Sequence, residues 1–188
     1  MEEKTEFERL DRKLIHKGAI IDLYQDSVRT PSGHVAKWDF IGHKGAAAVV
    51  PVTERGTILM VRQYRNAIDR YTLEIPAGGR DSLEERTCDC AARELEEETG
   101  FRSEHLELLI RLKTAVAYCN EFIDVYVAKD LVPSHQHLDE DEFINVCECT
   151  VDELCEKIFA GEIQDAKTIA AIMAYKVKYQ LPLTRMSL

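Results

Sequence analysis

At 188 residues, with 45% hydrophobic side chains, the chain has the length and apolar content for one compact domain plus a small appendage. A formal net charge of −10, from 34 acidic against 24 basic residues, excludes nonspecific binding to nucleic acid or to an anionic membrane surface, which a basic patch would mediate. The six cysteines include two Cys-x-Cys pairs and no Cys-x2-Cys zinc spacing, and the N-terminus is charged with no apolar run, which predicts reduced thiols in a cytoplasmic protein that is neither secreted nor membrane-inserted.

Residues 1–12 are polar and predict a mobile or weakly strand-like start. Ile20 to Val28 and His34 to Ile41 flank the turn residues Thr30-Pro31-Ser32-Gly33 and predict a hairpin. This β-unit, residues 1–43, has little to bury by itself and is expected to pack on something else, such as another subunit. The main domain, 44–188, opens with Ala46 to Val52 and Thr57 to Tyr64 as a second hairpin about Glu54-Arg55-Gly56. Tyr71 to Ile75 is a further strand, after which Pro76-Ala77-Gly78-Gly79 delivers the chain into an acidic segment. Leu106 to Lys113, Phe122 to Ala128 and Phe143 to Cys149 read as strands, with Pro133 to His137 as a polar linker. Thr150 with Glu153 caps a helix over Val151 to Ala160, and a last helix covers Ala166 to Tyr179. Strands mixed with three helices predict an α/β fold with a central sheet between helical layers. A doubly wound nucleotide fold would need repeated strand-helix alternation and a glycine-rich first turn, and neither is present.

Gly79 to Phe101, GRDSLEERTCDCAARELEEETGF, reads as a helix opened by Ser82 and Glu85 in a capping box and stopped by Gly100. Cys88, Ala91, Ala92 and Leu95 form a narrow stripe of small apolar residues. Beside it Glu94, Glu97 and Glu98 share one face. Like charges at such spacing repel by roughly 0.2–0.5 kcal/mol per pair, and the negative end of the helix dipole adds to the cost. A divalent cation reverses both signs, since hard ions such as Mg²⁺ prefer carboxylate oxygens. A solvated acidic face is the plain alternative for a bare run of this kind.

The run is not bare. Gly79, Glu85, Arg93, Glu94, Leu95, Glu97, Glu98, Gly100 and Phe101 match every fixed position of the signature GX5EX7REUXEEXGU, where U is bulky and apolar. The segment resembles the Nudix hydrolases. That resemblance implies an α/β/α sandwich in which a loop-helix-loop holds Mg²⁺ or Mn²⁺ against a pyrophosphate while an activated water attacks phosphorus. By position, Glu94 and Glu98 would ligate metal, Glu97 would ligate or support it, and Glu85 and Arg93 would pair to fix the loop.

The stretches IDLYQDSV, TPSG, GAAAVVPV, ILMVRQYR, LEIPAG, LDEDEF and DAKT extend the resemblance to the ADP-ribose pyrophosphatase branch, from about Gly18 to Tyr179. The implication is cleavage of ADP-ribose to AMP and ribose 5-phosphate by a homodimer that exchanges its N-terminal β-units. Carried over, the Ala77 carbonyl becomes a metal ligand and Arg65 a contact to the diphosphate or terminal ribose, a role that suits a bidentate guanidinium. Trp38 would stack on adenine or pack in the core, and Ile20, opening the first strand, would line the base pocket or be plain core. Glu142, then Glu140, would serve the attacking water and touch metal from the loop after Leu138. Glu121 matches an acidic substrate-binding position. Ahead of it, Ala115-Val116-Ala117-Tyr118 stands where the branch carries Ser-Pro-Gly-aromatic. This departure leaves the chemistry intact and opens the alternative of another nucleoside diphosphate sugar, such as GDP-mannose. A noncatalytic sensing domain is disfavoured by the intact box and the absence of a basic helix-turn-helix.

Overall fold

The computed structural model describes residues 6–138 and 142–180. These form two compact units, one holding the chain up to Gly45 with Lys113–Phe122, the other Ala46–Leu112 with the chain from Ile123 onward.

In the first unit, strands β1 (Glu8–Lys17), β2 (Asp22–Arg29) and β3 (Val35–Gly42) make an antiparallel sheet in chain order. The polar start is therefore a full strand from Glu8. Charge fixes it there, because the Arg12 guanidinium grips Asp26 of β2 at 2.6 and 2.7 Å and lies 3.5 Å from the Phe40 ring centre. Ile20 does not open a strand. It lies in the turn before β2 and is 82% exposed, because the β1–β2 ladder closes at Lys17 and Asp22. The departing segment after Ala115 makes a tight turn without its proline and glycine: the Tyr118 and Cys119 amides donate to the Ala115 carbonyl, and Ile41 N–H donates to Tyr118 O at 2.7 Å.

In the second unit, β4 (Ala46–Pro51), β7 (Ala77–Gly79), β9 (His105–Lys113) and β10 (Phe122–Lys129) form a mixed sheet in the order β7-β4-β10-β9, with β4 and β10 parallel. A second, antiparallel sheet runs β12-β5-β6, from Ile144–Cys149, Ile58–Arg65 and Arg70–Glu74. The pair β8 (Phe101–Arg102) and β11 (Val132–Pro133) is separate, so Pro133 begins its linker as a strand residue.

The expected hairpin of β4 and β5 does not form. A tight turn joins them, but beyond a single bridge between Val52 and Ile58 they enter different sheets. Both edges of β4 are already taken, by β7 and β10, so β5 pairs elsewhere. Residues of β4 are buried on both sides. Ala46, Ala48 and Val50 join a core with Val125, Leu154 and Ile172, whereas Ala47 and Val49 join another with Ala91 and Leu95. Helix α1 (Thr87–Thr99) thus covers one face of the sheet, and α2 (Val151–Phe159) with α3 (Ala166–Tyr175) the other. The capping box on α2 is present in both directions. Helix α3 stops four residues short of expectation, giving way to a π-helical turn at Lys176–Gln180.

Helix α1 also starts later than its capping signature suggests. Ser82 Oγ accepts from the amides of Glu84 and Glu85 at 3.2 Å, and the Glu85 carboxylate accepts from Asp81 N–H at 2.7 Å, but these bonds close a loop. The helix begins at Thr87 with no side-chain cap. Glu85 is also held by Arg93 at 3.2 Å, which lays the loop alongside the helix instead of winding it into the first turn.

Candidate active site

The last two turns of α1 carry three glutamates in unlike surroundings. Glu98 is 3% exposed, and its Oε2 accepts from the Ala77 amide of β7 at 3.0 Å. Glu94 is nearly as buried and lies against Gly78, where an added Cβ would fall 2.1 Å from its Oε1. Only glycine leaves room for that carboxylate. Glu97 is more open and bonds Arg93.

Arg93 organises the cluster. Its Nη1 donates to Glu94 at 2.6 Å and Glu97 at 2.8 Å, Nε to Glu85 at 3.2 Å, and Nη2 to the Gly79 carbonyl at 3.0 Å. One guanidinium does not compensate so many acids. Burial pushes Glu94 up to about 7 against the opposing pull of Arg93, with Glu97 and Glu142 adding repulsion. Burial likewise pushes Glu98 up to about 8 despite its Ala77 hydrogen bond, and Glu94 and Glu142 raise it further. Glu142 thus lies within electrostatic reach of both acids.

Among the described residues no three His, Cys, Asp or Glu side chains already converge as a metal cage, since Arg93 draws Glu94 and Glu97 and the Ala77 amide draws Glu98. The donor set nevertheless suits a hard divalent ion. Two buried carboxylates, short of positive charge beside a strand that glycine keeps clear, are what such an ion neutralises.

Glu85, Arg93, Glu94, Glu97, Glu98 and Ala77 therefore meet at one place. Glu140 lies outside the described residues. Arg65 grips Glu74 through Nε and Nη2 at 2.8 and 2.7 Å, and its pKa is raised chiefly by that hydrogen bond. Lys167 joins Glu74 from α3, and Thr72 Oγ1 adds a third partner at 2.5 Å. This network borders a cleft of about 400 Å³ that Arg70, Gln164 and Asp165 also line. In the other unit, Trp38 is 48% exposed with Phe7 5.7 Å away, so it is not core, and Glu121 faces His43 at 3.4 Å.

Sequence reasoning missed Gly78, Glu74 and Lys167 as parts of the site and its support. Gly78 had a signal in the Ala77-Gly78-Gly79 run, and Glu74 in LEIPAG. The loop root was missed too: Gln136 Nε2 donates to Glu98 O at 2.7 Å, His137 N–H to Glu97 O at 3.0 Å, and Ser134 N–H to Gly100 O at 2.6 Å. The segment after β11 thereby satisfies carbonyls that the end of α1 leaves open.

The layered α/β unit thus sets paired buried acids of one helix against a glycine-bearing strand, a donor set that suits a divalent ion. The NUDIX domain model matches residues 42–172, and the chain belongs to the Nudix family. It is 37% identical over 183 residues to an ADP-ribose pyrophosphatase of Bacillus subtilis, covering 96% of each chain. It is also 37% identical over 182 residues to a methanol dehydrogenase activator of Bacillus methanolicus, again with 96% of each covered. A solved structure of an ADP compounds hydrolase superposes with a TM-score of 0.80 at 20% identity, covering 91% of this chain and 92% of that one, which shows the same fold. The protein is a Nudix hydrolase. Among the described residues no helix is long and apolar enough to cross a membrane, and all six cysteines are free.

Proposed function

We propose that this hydrolase cleaves the pyrophosphate of ADP-ribose to AMP and ribose 5-phosphate with Mg²⁺, Mn²⁺ being the substitute. The observation that carries the reading is the pair Glu94 and Glu98, buried and short of cation beside Ala77 and Gly78. Full-length similarity to the Bacillus subtilis enzyme supports the choice of substrate. Glu94, Glu98, Glu97, Glu142 and the Ala77 carbonyl would hold the metal, which when bound polarises the phosphate oxygens and lowers the pKa of water.

The chain's own groups do the rest. Arg93 and Glu85 brace the loop before α1. Glu142, or Glu140 in its place, takes the proton of the attacking water. Arg65 orients the diphosphate or terminal ribose, while Trp38, Ile20 and Glu121 receive the nucleoside side. The N-terminal unit, residues 1–43, leaves Phe7, Leu14, Ile15 and Trp38 exposed, which supports its exchange between two subunits ahead of the hydrolase domain, 44–188. Six free thiols support a cytoplasmic home. The altered turn at Ala115-Val116-Ala117 favours one second reading, the same chemistry on another nucleoside diphosphate sugar such as GDP-mannose.

Phosphate released by alkaline phosphatase after incubation with Mg²⁺ and a panel of diphosphate sugars tests both, with Glu98→Gln as control. Turnover of ADP-ribose that the substitution removes is the expected result. Preference for a guanosine or uridine sugar would favour the second reading, and tight ADP-ribose binding without turnover would overturn hydrolysis.

A further inference from the structure

The chain leaves β6 at Glu74 and enters β7 at Ala77, and the two strands belong to different sheets. Ile75 and Pro76 cross between them with no ladder of their own. Their main-chain groups are satisfied singly: Ile75 N–H donates to Thr168 Oγ1 at 3.1 Å, Val49 N–H donates to the Pro76 carbonyl at 2.9 Å, and Ala77 N–H donates to Glu98 at 3.0 Å. Thr168, in the first turn of α3, is wholly buried. Its hydroxyl donates to Asp165 Oδ2 at 2.6 Å, and the same oxygen accepts from Thr168 N–H at 2.9 Å and Lys167 Nζ at 3.0 Å. With its proton committed to Asp165, Oγ1 presents a lone pair to Ile75. The bonds therefore run in one direction, from Ile75 through Thr168 to Asp165.

We propose that Thr168 is a positioning residue for the metal-dependent hydrolysis: it fixes the Ile75–Ala77 crossing, and so sets the Ala77 peptide against Glu98. The assignment rests on the reading of this site as a metal-dependent hydrolase. Thr168 makes no hydrogen bond to Glu94, Glu97 or Glu98. A buried amide left without its acceptor would move or hydrate, and the displacement would pass along two residues to the group that Glu98 grips.

Thr168→Val keeps the shape and removes both bonds, whereas Thr168→Ser keeps the hydroxyl. For Thr168→Val, calorimetry with Mg²⁺ alone is expected to show affinity weakened about tenfold, the lower end for groups that orient metal ligands. Amide exchange at Ala77 is expected to quicken by a similar factor, kcat to fall, and KM for ADP-ribose to hold. Thr168→Ser restores all of these. If Thr168→Val melts earlier but binds Mg²⁺ as the wild type does, with Ala77 equally protected, the hydroxyl is merely structural and the proposal is overturned. Should Thr168→Val not fold, the wild type decides: saturating Mg²⁺ slows exchange of the Ile75 amide if the crossing is coupled to the site, and an unchanged Ile75 refutes the coupling. A wild type that neither binds Mg²⁺ nor turns over would instead sink the hydrolase reading itself.

Discussion

Two sets of buried carboxylates lie in the same unit and have opposite fates. Glu74 is 2% exposed, yet it sits at about 2, because Arg65, Lys167 and Thr72 outweigh the cost of its burial. Glu94 and Glu98 are buried to a similar degree and sit at about 7 and 8, because burial outweighs Arg93 at the first and the Ala77 amide with Arg65 at the second. Burial alone therefore does not mark a functional acid. The mark is burial with the compensating charge left out, and in a metalloenzyme the missing charge arrives with the ion.

The widest separation between the two sets comes from removing each in turn. Glu98→Gln should lower kcat by on the order of 10³, since a lost metal ligand costs several kcal/mol of transition-state stabilisation, while a thermal melt of the metal-free protein shows no loss of stability. Glu74→Ala should weigh the other way, on stability more than on rate. It leaves Lys167 and Arg65 beside an empty site, and breaking a buried pair from one side costs about 3–5 kcal/mol, readable as a drop in urea midpoint. If both substitutions moved activity and stability equally, the contrast would fail.

Gly78→Ala sharpens it further. The new methyl would displace the Glu94 carboxylate, and a misplacement near 1 Å costs roughly 10²-fold in rate. Steady-state kinetics should show that loss with Mg²⁺ half-saturation raised and the melting temperature little changed.

The smallest effect is in the pH dependence of the metal-free protein. Glu74, depressed in the fold, contributes stability that is present above its ordinary value of 4.5 and lost as pH falls toward about 2. Glu94 and Glu98, raised in the fold, contribute stability that is present below 4.5 and lost as pH rises through about 7 and 8. Urea titrations should therefore show a decline on each side, with saturating Mg²⁺ removing only the alkaline one. A decline that Mg²⁺ leaves unaltered would show that the ion does not reach these acids.

What the sequence disclosed follows from distance along the chain. Glu94, Glu97 and Glu98 lie within two turns of one helix, so their shared face and their strain were legible from spacing alone. The ion pair of Glu85 with Arg93 spans eight residues and came with the signature. Glu74 depends on Lys167, 93 residues away, and no local pattern announces that partner. Likewise Thr53 to Thr57 makes the turn that a hairpin needs, but the pairing was decided by β10, which occupies the β4 edge from the far end of the domain. Ser82 and Glu85 formed the bonds of a cap in a loop, where Arg93 holds the glutamate together with the Asp81 amide.

The strand β4 has one further consequence. Ala47, with no exposed surface, faces α1, and its neighbours Ala46 and Ala48 face the opposite layer. At that position a single methyl separates the backbone from the helix bearing the acids, so a bulkier residue at 47 would act as a shim beneath α1. Catalytic alignment in this protein would then be tunable from inside the sheet, by changes that never touch water, substrate or charge.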